Sequence, residues 1–146
     1  MDNQNINSAF NKLNMKLDSF VDGLYDILHK AGMVALCDAK ETGDYKDQTG
    51  RLRNASGFEI TDDNGKVIET QTVGETNPVH IAGVNPLEGA VETRKYLKSL
   101  PPARGISITL GNGMPYTTFV QSKGYTVLDT AQLCLVTGLE KTLKNK

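Results

Sequence analysis

The sequence predicts an α+β domain: a small antiparallel sheet with a long N-terminal helix, a middle helix and a C-terminal helix packed mainly on one face. Three observations carry that expectation. Apolar residues recur at steps of three and four along the first 34 positions, and Asn64-Gly65 sits between two β-compatible runs. The strands are also not alternated with helices in the regular way a parallel sheet requires.

With 146 residues, 38% of them hydrophobic and 23% charged, the chain matches the composition of one soluble domain, so residues 1–146 are read as a single unit. Five Tyr and four Phe make it too apolar for a disordered polymer, and long apolar runs are missing, so no membrane is expected as a partner. Sixteen Lys and Arg against seventeen Asp and Glu leave a net charge of -1, which gives no global field for holding phosphates. Met1-Asp2-Asn3-Gln4 has neither the basic start nor the apolar stretch of a signal peptide. With only Cys37 and Cys134, far apart, a cytoplasmic protein with reduced thiols is expected.

The first helix is read over residues 6–39, where Phe10, Leu13, Leu17, Phe20, Val21, Leu24, Ile27, Leu28, Ala31 and Val34 form one stripe. Lys12, Lys16, Asp18, Asp22 and Asp26 fall off the stripe, and Asn7 or Ser8 suits the N-cap. Gly23 and Gly32 each weaken a helix by roughly 1 kcal/mol relative to Ala, which the stripe outweighs. Residues 41–50 have no apolar period and many turn formers, hence an exposed connection. Strands are expected over residues 52–60 and 66–72, with Phe58 and Ile60 sharing a face, Val67 opposite them and Ile68 pointing away.

Residues 73–84 are read as a loop. A second helix opens at Pro86, carries Leu87, Ala90, Val91, Tyr96 and Leu97, and must end at Pro101-Pro102. Ile106, Ile108 and Leu110 alternate with polar residues over 105–111, as a half-buried strand should, and Gly111-Asn112-Gly113 turns the chain. Residues 116–120 fit a strand or a helical turn, Lys123-Gly124 a turn, and Leu128, Ala131, Leu135, Val136, Leu139 and Leu143 a closing helix.

The inventory for catalysis is thin: the imidazoles are His29, on the long helix, and His80, in the loop after Pro78. Cys37 and Cys134 occupy positions suited to small buried side chains, and no Cys or His pair has metal-ligand spacing. Gly111-Asn112-Gly113 lacks the Gly-Lys-Ser/Thr ending of a phosphate loop, and Asp62-Asp63-Asn64-Gly65 lacks the ligand spacing of a calcium loop. Neither a cofactor, a metal nor an enzymatic activity is expected. Lys46, Arg51 and Arg53, then Arg94, Lys95, Lys98 and Arg104, are solvated surface or points of loose contact with passing DNA.

Two segments together carry a resemblance. Asp47-Gln48-Thr49-Gly50-Arg51-Leu52-Arg53-Asn54-Ala55, after a long amphipathic helix, resembles the signature "D-x-T-G-x-L-R-x-S" of the head-tail joining and tail-completion proteins of tailed bacteriophages, a family of minor tail or neck proteins. Met114-Pro115-Tyr116-Thr117-Thr118-Phe119-Val120-Gln121-Ser122-Lys123-Gly124-Tyr125-Thr126-Val127-Leu128 resembles that family's "Y-A-x-Y-V-E-x-G" element leading into the last helix, with Phe119 for the second Tyr and Gln121 for the acid. The two motifs cover about a sixth of the chain, in the family's order.

The resemblance implies a structural virion protein without catalysis, present in the host cytoplasm during assembly. It would form an oligomeric ring with other copies of itself and contact neighbouring neck, connector or tail proteins. The alternative is a free-standing phage-encoded binding module that engages a protein or nucleic acid without entering a ring. The residues expected to build a rigid turn or a subunit contact are Thr49, Gly50, Arg51, Leu52, Arg53, Tyr116, Phe119 and Gly124. Gly50 is free to take positive φ and Thr49 to bond local backbone groups; Leu52 would be the first inward side chain of a strand, with Arg51 and Arg53 facing away.

Overall fold

The computed structural model describes residues 3–42, 51–76, 85, 88–101, 103–115, 117–124 and 127–144. Their elements are α1 (Asn3–Thr42), α2 (Arg51–Asn54), β1 (Ser56–Thr61), β2 (Val67–Thr72), α3 (Val73–Thr76), α4 (Glu88–Ser99), β3 (Ser107–Asn112), α5 (Thr117–Ser122) and α6 (Asp129–Lys144). The expected α+β class holds: a three-stranded antiparallel sheet in the order β2-β1-β3, a long N-terminal helix, and further helices including one at the C-terminal end.

The hairpin between β1 and β2 forms where Asn64-Gly65 places it. Gly65 takes a φ of 80° that a side chain would strain, and the Asp62 carboxylate accepts from the Asn64 and Lys66 amides at 2.9 and 2.8 Å. Asp62 thereby fixes the turn and the register of the strands, Phe58 opposite Gln71 and Ile60 opposite Glu69.

Alternation along β1 divides the layers. Phe58 and Ile60, beside Leu110 and Ile108 of β3, face α1 and make the main core with Leu28, Leu36 and Val73. Gly32 permits the approach: a Cβ there would lie 2.7 Å from the Phe58 ring. α6 runs back along α1, with Ala131 and Leu135 against Ala35 and Ala39 at one end and Leu143 beside Phe20 and Leu24 at the other. The opposite face of β1 receives α4, through Gly57 against Thr93 and, on β3, Gly111 against Leu97. Thus α1 takes one face of the sheet and α4 the other, so the middle helix does not share the long helix's face as expected, because Gly57 and Gly111 leave the second face open to close approach.

Several local expectations are corrected. The strand expected from Leu52 begins only at Ser56, because β3 ends at Asn112, the partner of Ser56, and earlier residues have no strand to bond among the described residues. They close on themselves as α2 instead, with the Ala55 amide donating to the Leu52 carbonyl at 3.3 Å. For the same reason β3 continues through Gly111 and Asn112, which pair with Gly57 and Ser56 rather than turning the chain. Val67 pairs with Thr61 across a register shift, not with the Phe58 face, and both Val67 and Ile68 are exposed. The expected loop 73–84 starts with the helical turn α3; residues 77–84, His80 among them, lie outside the described residues. Of residues 116–120, those from Thr117 on are helical, as α5, and Tyr116 lies outside the described residues. Cys37 is exposed and Cys134 half-buried, because Leu36 and Ala35 take the core-facing positions of that turn.

Candidate functional site

Two stretches sixty residues apart meet at one end of the sheet. Asn112, the last residue of β3, is buried, and its Nδ2 donates to the Leu52 carbonyl at 2.8 Å and to the Ser56 hydroxyl at 3.4 Å. Its Oδ1 accepts from the Met114 amide at 3.1 Å and the Thr117 hydroxyl at 2.8 Å. One amide side chain therefore ties α2, the start of β1 and the start of α5 together. It does so inside a region of low dielectric, where each bond is strengthened and each orphaned group costly.

Thr93 of α4 completes the junction. Its hydroxyl donates to the Ala55 carbonyl and accepts from the Gly113 amide at 3.0 Å. Leu52, Ala55, Met114 and Val127 pack beneath as a second small core, with Leu128 at its edge. Gly113 allows α4 to sit this close, since a Cβ there would lie 2.5 Å from the Glu92 carbonyl oxygen.

The motif residues divide accordingly. Leu52 is buried as expected, but from a helical turn rather than a strand. Arg53 does not face away: its Nη1 donates to the Lys40 carbonyl at 2.7 Å, fastening α2 to the last turn of α1, where an unpaired carbonyl attracts a cation. Gly124 has a φ of 88°, in a turn closed by its amide and the Gln121 carbonyl at 3.0 Å. Arg51 opens α2 and Phe119 lies within α5, but their side chains, like all of Thr49, Gly50 and Tyr116, fall outside what is described. Sequence reasoning missed Asn112, Thr117 and Thr93. A polar residue next to the expected strand end was the only signal, and it was absorbed into a turn.

The titratable groups lie away from this junction or on its rim. His29 Nδ1 is 2.6 Å from Glu69 Oε1, which also accepts from Gln71 at 3.0 Å, so the imidazole bridges α1 to the edge strand β2. Arg94 donates to the Glu75 carboxylate from Nε at 2.9 Å and from Nη2; that hydrogen bonding raises its pKa further above the ordinary value, against a lowering by partial burial. Desolvation, followed by Asp62, Asp63 and Asp22, pushes the Tyr25 phenol up. Lys95 pairs with Glu92 at 3.1 Å, so two members of the basic cluster on α4 are engaged with acids of their own surface. Among the described residues no three His, Cys, Asp or Glu side chains form a metal-binding group, and no helix is long and apolar enough to cross a membrane. Asn54 Oδ1 and Glu59 Oε2 are buried without a hydrogen-bond partner among the described residues.

No family model, no curated protein and no solved structure matches the chain.

Proposed function

We propose that the chain is a structural virion protein of a tailed phage, a ring-forming neck or tail-completion subunit that connects head and tail. The observation that carries this reading is the junction. The two segments resembling the family's signature converge on Asn112, and Leu52 of one packs with Met114 of the other. A subunit contact built from loops needs rigid supports, because ordering a loop at an interface costs binding free energy. Here Arg53 anchors the chain after the Asp47-Gln48-Thr49-Gly50 stretch to the end of the helix before it. In the assembly, copies of the chain would contact one another and the adjoining neck, connector or tail proteins, with DNA passing in loose contact at most.

Quantitative mass spectrometry of purified virions tests the proposal. The expected result is many copies per particle. A single copy, or none in particles that carry their other neck proteins, overturns it.

A further inference from the structure

The first five turns of α1 carry an apolar row that, among the described residues, is left largely exposed. Phe10 is 59% and Phe20 69% exposed, Leu13 and Leu17 each 52%. The row is distinct from the one that faces the sheet, and towards the C-terminal end it runs on under α6 through Leu24, Ile27 and Ala31. Beside it runs a second row, one residue further along, which is polar in the first half of the helix (Asn7, Asn11, Asn14, Asp18) and becomes buried and apolar only where the domain begins (Leu28, Ala35, Ala39). The domain therefore accounts for the second row. The first has its own pattern: from Ile6 to Val34 the steps alternate four, three, four, three, through Phe10, Leu13, Leu17, Phe20, Leu24 and Ile27.

Alternating steps of four and three make a 3.5-residue repeat, which keeps a seam aligned with another helix as the two supercoil. A flat apolar surface would need no such register. The interface with α6 supplies the continuity: α6 lies along the C-terminal half of α1, and its Leu143 reaches Phe20 and Leu24 at a cleft of about 340 Å³. From Phe20 towards Ile6 the seam goes on with no helix of the described residues beside it.

We infer that this seam pairs with the same seam of a second copy of the chain, as a short two-helix coiled coil over the N-terminal half of α1. The flanking positions favour a copy of itself over a charged partner. In the heptad, Asn7, Asn14 and Val21 occupy one flank and Ala9, Lys16 and Gly23 the other, so a single charge stands where partner choice is normally written, and it gives no code for an acidic or basic stranger. A lipid surface is a poorer match. The polar side of residues 3–20 is built largely of Asn, Gln and Ser with only Lys12 and Lys16 as cations, whereas a surface-seeking helix carries a Lys- and Arg-rich face. Two Phe rings, each removing about 150–250 Å² when fully buried, with Leu13, Leu17 and Ile6 bring the seam to the same order as the roughly 800 Å² per partner of a stable association.

The inference does not rest on the virion reading. Sedimentation of the full chain at about 100 μM, where even a micromolar association is saturated, should show a dimer. Leu13→Asp/Leu17→Asp should be monomeric, with affinity reduced roughly a hundredfold or more, while Asn11→Asp on the polar row should associate like the parent. Should the double Asp variant not fold, Leu13→Ala/Leu17→Ala should fold and still weaken association about tenfold or more. A monomeric parent overturns the inference, as does an Asp or Ala pair that associates as tightly as the parent. So does a monomeric parent that sediments with phosphatidylcholine–phosphatidylglycerol vesicles, which would assign the row to a membrane. A solution monomer found in many copies per virion would remove this contact and leave the neck proposal standing; a dimer absent from virions would do the reverse.

Discussion

The two halves of α1 show how one helix answers to two environments. In the C-terminal half, Leu28, Gly32, Leu36 and Ala39 lie against the sheet, α6 and α2, and apart from the exposed Val34 the large apolar residues there are buried or half-buried. In the N-terminal half the apolar row is as regular, yet Phe10 and Phe20 stand in solvent. Periodicity thus specifies that a face is meant for burial and leaves open what buries it. Burial against the rest of the chain has a measurable consequence. Phe58→Ala, which removes a ring with no exposed surface from beneath Gly32, should destabilise the fold by about 3–5 kcal/mol. Phe10→Ala, the same truncation in the bare half, should leave the melting of the dilute chain within about 0.5 kcal/mol of the parent. Equal losses in thermal denaturation would show that the N-terminal half is covered in the folded monomer after all.

The junction around Asn112 is a second place where the covered and the uncovered can be compared, this time for polar groups. Asn112→Ala leaves the Leu52 carbonyl, the Met114 amide and the Thr117 hydroxyl without that partner in a buried site, and each such group costs about 1–3 kcal/mol. A loss of about 2–3 kcal/mol in urea denaturation is expected, below Phe58→Ala because the freed groups can recruit water. If the loss matches that of an exposed polar residue such as Asn64, whose amide bonds in an open turn, the junction is not what fixes α2 and α5.

What was legible in the sequence follows from the range of the interactions. The long helix, the Asp62-to-Lys66 turn and the end of α4 before Pro101 depend on residues a few positions apart and form where the local pattern puts them, except that α1 starts at Asn3, ahead of the N-cap expected at Asn7 or Ser8. The helical turn at Leu52 depends on β3 stopping at Asn112, sixty residues away, so Leu52 is inward as expected while its backbone is not a strand. Arg53 was read as outward because a strand alternates; in a helical turn it reaches the Lys40 carbonyl instead. At the candidate site, then, the sequence marked the segments that meet, and the residue that joins them was hidden inside an apparent turn. The paired apolar rows of α1 were merged into one stripe for a related reason. A stripe of ten residues satisfies a helical period, and only the position of the sheet separates the row it covers from the row it leaves.

The closest approach between α1 and the sheet sharpens the comparison further. Gly32→Ala places a methyl group against the Phe58 ring, which is locked in the core, so overpacking by about 1–3 kcal/mol outweighs the roughly 1 kcal/mol that Ala gains over Gly in a helix. Gly23→Ala, on the same helix with open space around its Cβ, should instead stabilise the chain by up to about 1 kcal/mol. Opposite signs in the two melting temperatures are the expected outcome; a gain at both positions would mean that α1 can lift from the sheet at no cost.

The smallest effect is expected at Cys37, and it tests the covered half from its outer side. Leu36 is buried against the sheet and Cys37, the next residue, is exposed, so the helix turns from core to solvent within one step of about 100°. Leu36→Ala should therefore cost about 2–5 kcal/mol, whereas Cys37→Ser exchanges one small solvated side chain for another and should change stability by less than about 0.5 kcal/mol. Cys134, half-buried on α6 where it lines a second cleft, with Ala31 and Val34 of α1, should fall between them. Melting curves of the three variants in reducing buffer give the ranking. A loss at Cys37 as large as that at Leu36 would mean that its thiol is buried against something the isolated chain holds, and the outward face of the covered half would have to be redrawn.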